Sequence, residues 1–250
     1  MGRLKECALA PIDDGETVAG AETLVRWEHS DKGTIAPAQF IPVAEQAGLI
    51  ELLGSWILRE AVRQAAEWHR DGVGGGRLWI SVNLSVEQLA NPALVGEVEL
   101  ALRDHGLPPE LLVLELTESA VMRDVVTTTQ RLDALKALGV RIDVDDFGEG
   151  HSSLAYLASL PLDLIKIPKT FVDRLGEPDA NVALVRAIVE LARSFGLRTV
   201  VEGIEGARPD GAAPAPRVRP RAGLPVRPPR GCRRGGPARG RGPPARAPRA

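Results

Sequence analysis

Short apolar, β-branched runs alternate along the chain with longer stretches of helical period. The runs are Glu6–Ile12, Thr17–Trp27, Leu78–Leu84, Leu111–Leu116, Val140–Val144, Leu162–Ile167 and Arg198–Val201. Helices are predicted between them. In Glu51–Arg70 the residues Leu52, Leu53, Trp56, Ile57, Ala61, Ala65 and Trp68 make an apolar stripe of helical spacing. Ser85–Asp104 opens on Ser85 with Gln88 three residues later, a reciprocal cap for a helix start. Asp124–Leu138 and Asp179–Phe195 are followed by Gly139 and Gly196, which stop helices readily. Regular strand–helix alternation predicts a parallel sheet covered by helices, and polar residues at the strand ends favour a barrel over an open sheet. Only Asp13–Glu16 separates the first two runs. That is too short for a parallel crossover, so this pair should be antiparallel. The expected fold is α/β, a TIM-like (β/α) barrel with an antiparallel first strand. The periodic pattern stops after Gly206, so the barrel is expected to lack its last strand and helix.

Charge divides the chain in the same place. The formal net charge is -2 over 250 residues. From Ala207 onward there are 12 Arg, no Lys and one acid, Asp210, together with 11 of the 20 Pro. Such a segment cannot bury enough apolar surface to offset the entropy of ordering. The expected organisation is therefore an acidic domain over residues 1–206 and a disordered Arg/Pro/Ala/Gly-rich tail over 207–250. A binding role for the basic tail is the alternative. An acidic body would repel a nucleic acid polymer. The longest apolar stretch, Leu49–Leu58, contains Glu51 and falls far short of the ~20 residues that span a bilayer. Two cysteines, Cys7 and Cys232, make no disulfide framework, and no secretion leader is evident, so the expected location is cytoplasmic.

The chemistry lies where the runs end. Glu22 lies in AETLVRW, Asn83 ends LWISVN, Glu115 lies in LVLELTES, and Asp145 and Asp146 end RIDVDD. Lys166 lies in LDLIKIP, and Glu202 ends RTVVEG with Glu205 three residues on. In a (β/α) barrel the carboxyl ends of the strands converge on one mouth. Carboxylate and amide oxygens there suit Mg²⁺ or Mn²⁺, and two such ions would favour in-line phosphoryl displacement. Any single acid after a strand is more commonly a turn or cap residue. Lys166 could equally occupy an edge and extend its ammonium to water. The joint pattern is what points to a site.

These residues carry a resemblance. The stretches AETLVRWEH, PAQFIPVAEQAGLI, SWILREAVRQAAEW, VNLSVEQL, LELTES, LGVRIDVDDFGEGHSSL, LPLDLIKIPKTFV and VVEGIE resemble, in order and spacing, the EAL domain of bacterial cyclic-di-GMP phosphodiesterases. The resemblance implies metal ligands at Glu22, Asn83, Glu115, Asp145, Asp146 and Glu202, for two Mg²⁺ or Mn²⁺ ions. It implies that Lys166 and Glu202 position the attacking water. Leu24, Arg26 and Glu205 would contact the dinucleotide, and Glu118 would anchor the loop Gly148–Ser153. The implied enzyme activity is hydrolysis of cyclic-di-GMP to the linear dinucleotide in second-messenger signalling. The oligomeric state stays open, although family members often pair through their helices as homodimers.

The sequence departs from the family at several points. Thr23 stands where alanine is usual, Ala10 where glutamine precedes Pro11-Ile12, and Pro168 where the lysine motif has aspartate. Glu149 and His151 replace threonine and an aromatic residue, and ARPDGAAPAPRVRP follows EGIE in place of a helix, a glutamine-glycine motif and a strand. The retained acids favour a hydrolase. Pro168 and the altered C-terminal segment favour a degenerate domain that binds cyclic-di-GMP or a partner protein without turnover.

Overall fold

The computed structural model describes residues 2–9, 20–122, 124–148, 160–173 and 180–201. Its strands are β1 (Gly2–Leu9), β2 (Gly20–His29), β3 (Gly33–Ile35), β4 (Trp79–Leu84), β5 (Leu112–Thr117), β6 (Arg141–Asp145), β7 (Leu164–Ile167) and β8 (Arg198–Val201). The helices are α1 (Pro37–Gln46), α2 (Ile50–Arg70), α3 (Val86–Ala90), α4 (Leu94–His105), α5 (Glu118–Met122), α6 (Val125–Ala137), α7 (Lys169–Asp173) and α8 (Ala180–Ser194).

Strand order in the sheet is β1-β2-β4-β5-β6-β7-β8, with β3 paired to β2 alone. The β1–β2 pair is antiparallel, as the short connection requires, and every later step along this path is parallel. The fold is a TIM-like α/β barrel wall. The expected loss of the last strand and helix concerns residues beyond Val201, outside the described residues, as does the expected disorder of 207–250.

One face of the sheet supplies the core. Ile80, Val82 and Leu84 of β4, Leu112, Leu114 and Leu116 of β5, Ile142 and Val144 of β6, and Ile165 and Ile167 of β7 are all buried in one apolar cluster. Opposite them pack Leu58, Ala61, Val62 and Ala65 of α2, Val98 and Leu102 of α4, and Leu132 and Leu135 of α6. Period-2 alternation in the strands and period-3.6 spacing in the helices place these residues on facing surfaces. Asp163 ties the lower end of the wall together. Its carboxylate accepts two hydrogen bonds from the Lys136 ammonium at 2.8 Å and one from the Ile142 backbone N–H at 2.7 Å. Its carbonyl accepts the Arg198 N–H.

Several elements differ from the sequence expectation. The first strand begins before Glu6, at Gly2, while residues 10–12 of the expected run lie outside the described residues, and the short β3 and α1 were not expected. No residue of α1 is buried, although Phe40, Ile41 and Ala44 stand at helical spacing and Phe40 meets Trp27 edge to face. The expected single helix Ser85–Asp104 is two. Ser85 and Gln88 do form the reciprocal cap of α3, but Asn91 precedes Pro92 and adopts an extended conformation. The proline ring disfavours helical backbone at the preceding residue, so the helix stops and restarts at Leu94.

Candidate active site

The other face of the same strands is polar. Glu22 on β2, Asn83 on β4, Glu115 on β5, Asp145 on β6 and Lys166 on β7 alternate with the core-facing residues, which puts them all on the inner face of the wall. Asn83 donates from Nδ2 to Glu22 Oε1 at 3.2 Å. Lys166 Nζ lies 3.1 Å from Glu115 Oε1 and donates to Asp145 Oδ2 at 3.4 Å. The structure thus brings together Glu22 with Asn83, and Glu115 with Lys166 and Asp145. Lys166 is only 4% exposed, so it does not reach out to water from an edge.

Burial sets the electrostatics. It pushes the Glu115 carboxyl up to about 7, opposed by the Lys166 charge and reinforced by Glu22 and Asp145. Lys166 is the partner of Glu115 Oε1, while Glu115 Oε2 accepts no hydrogen bond although the side chain is 1% exposed. Removing such a charge from water without donors is costly, and an opposite charge is what offsets it. Deeper on β6, burial pushes Asp143 up to about 6, with Arg141 and Arg198 opposing.

The turn after β6 is held by three contacts. Asp146 adopts a left-handed backbone (φ 53°), a conformation that aspartate tolerates better than most residues, and its N–H donates to Asp145 Oδ1 at 2.9 Å. Phe147 is buried, and its N–H donates to the Lys166 carbonyl. Gly148 donates to Glu118 Oε2 at 2.6 Å. At Gly148, φ is 96° and an added Cβ would lie 3.1 Å from the Phe171 ring, so glycine is required by backbone and space alike. Glu118 therefore grips the start of the loop that the sequence reading assigned to it. Leu24 and Arg26 are half-buried on β2, and the Arg26 guanidinium donates to the Val25 carbonyl. Glu202, Glu205, Ala10, Glu149 and His151 lie outside the described residues. Pro168 is buried directly after β7 and accepts the Phe171 N–H on its carbonyl.

The residues present suit a hard divalent cation in their chemistry. The ligating atoms would all be oxygens, and Glu115 offers one buried oxygen, Oε2, without a hydrogen-bond donor. Among the described residues, no three Asp, Glu, His or Cys side chains stand together as a ready cation cage. Lys166 instead bridges Glu115 and Asp145. An open groove of about 730 Å³ on the helical layer, lined by Glu51, Glu87, Asn91 and Asp124 among others, contains none of the residues expected at the site.

Sequence reasoning passed over the deeper polar layer. Ser81 and Asp143 are buried, and Arg141 stacks its guanidinium 5.3 Å from the centre of the Trp79 ring. Arg141, Asp143 and Asp145 occupy alternate positions of β6, so the period-2 signal was there to be read.

The family model for the EAL domain matches residues 6–208. The chain belongs to the EAL domain family. It is 50% identical over 197 residues to an uncharacterized signaling protein of Caulobacter vibrioides, covering 79% of this chain and 24% of that protein. It is 46% identical over 187 residues to the bifunctional diguanylate cyclase/cyclic di-GMP phosphodiesterase MucR of Pseudomonas aeruginosa, covering 74% of this chain and 27% of that protein. The EAL chain thus spans about a quarter of the length of these curated relatives. Among solved structures it resembles the PaMucR phosphodiesterase in complex with c-di-GMP, with a TM-score of 0.76, 43% identity and 82% of each chain covered. No helix among the described residues is long and apolar enough to cross a membrane.

Proposed function

We propose that this EAL domain hydrolyses one phosphodiester bond of cyclic-di-GMP, giving the linear dinucleotide. The observation that carries this reading is the joint placement of Glu22, Asn83, Glu115, Asp145 and Lys166 on the inner face of the wall. The shared fold and identity with a phosphodiesterase solved with c-di-GMP support it. Glu22, Asn83, Glu115, Asp145 and Asp146, with Glu202, would hold Mg²⁺ or Mn²⁺, two ions in all. Bound divalent cations supply charge neutralisation at the phosphate and make water more acidic. Around them the chain's own groups orient the reaction. Lys166, with Glu202, would direct a water toward phosphorus, and its ammonium offsets negative charge that grows in the transition state. Leu24, Arg26 and Glu205 would hold the dinucleotide. Glu118 would keep the loop after β6 in place through Gly148.

A second reading, binding without hydrolysis, is favoured by one observation. Lys166 fills the interval between Glu115 and Asp145, and no cation cage stands ready among the described residues. One experiment separates the two. The purified chain is incubated with cyclic-di-GMP and Mn²⁺, and the product is resolved by chromatography. Linear dinucleotide that disappears in excess chelator supports the hydrolase. Saturable binding without product supports the second reading, and absence of both defeats each.

A further inference from the structure

Below the site the inner face carries a second layer of charge. Inward positions on β6 run Arg141, Asp143, Asp145 from the lower end to the mouth. In register across the wall, Asp143 pairs with Glu115 on β5 and with Leu164 on β7, two residues before Lys166. Leu164 in turn pairs with Arg198 on β8. Asp143 feels Arg141, Arg198 and Lys166 as attractive charges. By register Arg141 lies one inward position below Asp143, Glu115 and Arg198 lie level with it, and Lys166 and Asp145 lie one inward position above. Asp143 is 6% exposed, and its Oδ1 accepts no hydrogen bond. An unbonded buried carboxylate oxygen is costly. Hydrogen bonding does not account for it, whereas its place between Arg141 below and Lys166 above does, against the opposing charge of Asp163.

We propose that Asp143 is a positioning residue for Lys166. It stands between the lysine and the Arg141 guanidinium beneath, and keeps the ammonium in place beside Glu115 and Asp145. This rests on the hydrolytic reading of the site. Without Asp143, Lys166 has the like charge of Arg141 below it on β6 and no β6 carboxylate between the two levels. A four-carbon side chain can then leave its place while the strands stay where they are. Asp143 lies level with Glu115 and one inward position below Asp145 and Lys166, and acts through the lysine.

The test is a double-mutant cycle in the full chain with two readouts. Asp143→Asn keeps shape and removes charge. With cyclic-di-GMP and Mn²⁺ it is expected to lower kcat by about 10- to 100-fold, the range for partners that orient a site from behind. KM should stay within about twofold, because ground-state binding is untouched. In a Lys166→Ala background the same substitution should have no further effect on the residual rate. A kcat for Asp143→Asn within about twofold of the parent, or an equal fold-loss with and without Lys166, overturns the proposal. The second readout needs no turnover. Urea midpoints of Asp143→Asn, Lys166→Met and the double variant should be non-additive, and additive midpoints overturn the proposal. If the parent chain makes no linear product, the hydrolytic reading fails, and the urea cycle alone decides whether Asp143 holds Lys166.

Discussion

The two faces of one sheet behave as different materials. On the outer face of β4 to β7, Ile80, Val82, Leu84, Leu112, Leu114, Leu116, Ile142, Val144, Ile165 and Ile167 meet the helices in a dry, close-packed layer. On the inner face the same strands present Ser81, Asn83, Glu115, Arg141, Asp143, Asp145 and Lys166. Of these, Ser81, Glu115, Asp143 and Lys166 are as buried as the leucines behind them. Ser81 Oγ, Arg141 Nε, Asp143 Oδ1 and Glu115 Oε2 have no hydrogen-bond partner. Burial therefore does opposite things a few ångströms apart. Outside, it removes apolar surface from water and stabilises the fold. Inside, it strips charged groups of solvent, which costs stability and leaves them ready to bind an ion or a phosphate.

That contrast can be broken face by face, beginning with the largest expected effect. Glu115→Gln should lower kcat by about 10³-fold, or roughly 4 kcal/mol, by replacing a charged cation ligand while preserving shape. Its melting temperature should stay close to the parent's, measured by circular dichroism. A collapse of the fold in this variant would mean that the inner face is structural too. Leu114→Ala should do the reverse. It should cost about 2–5 kcal/mol in urea unfolding, from lost transfer free energy and the cavity left behind, while kcat per folded molecule is unchanged.

Gly20→Ala probes the floor of the inner face. A Cβ there would lie 2.0 Å from Trp79 Cε2, so the indole on which Arg141 rests must move. A loss of about 1–3 kcal/mol is expected, as for overpacking generally, read from the shift in urea midpoint. The smallest change should be a gain. Thr23 is buried, and its Oγ1 has no hydrogen-bond partner. Thr23→Ala should remove that unsatisfied hydroxyl and raise stability by about 1 kcal/mol, seen as a higher melting temperature with activity unchanged.

Much of the outer face was legible in the sequence because apolar periodicity is a local property. The stripe of α2, the cap at Ser85 and the runs of β4 to β8 are each set by neighbours within a few residues. The break at Asn91–Pro92 was legible as well, in the proline's effect on the preceding backbone, yet the apolar period on either side of it masked the stop. The candidate ligands could be read because each ends a strand-like run, but their grouping could not. That Glu22 meets Asn83 across 61 residues, or that Lys166 lies between Glu115 and Asp145, depends on strand order and register, which are set only when the sheet assembles.

By itself the amino-acid sequence determined the alternation of strands and helices, the antiparallel start, the membership of the EAL family and which side chains could face a substrate. Tertiary structure alone decided that Lys166 is sealed from water, that burial pushes the Glu115 carboxyl well above a free glutamate, and that Asp143 is buried on the strand between Arg141 and Asp145. The physical reason is range. Periodicity and capping act over one or two turns of chain, whereas desolvation and Coulomb interactions depend on what the whole wall brings within a few ångströms.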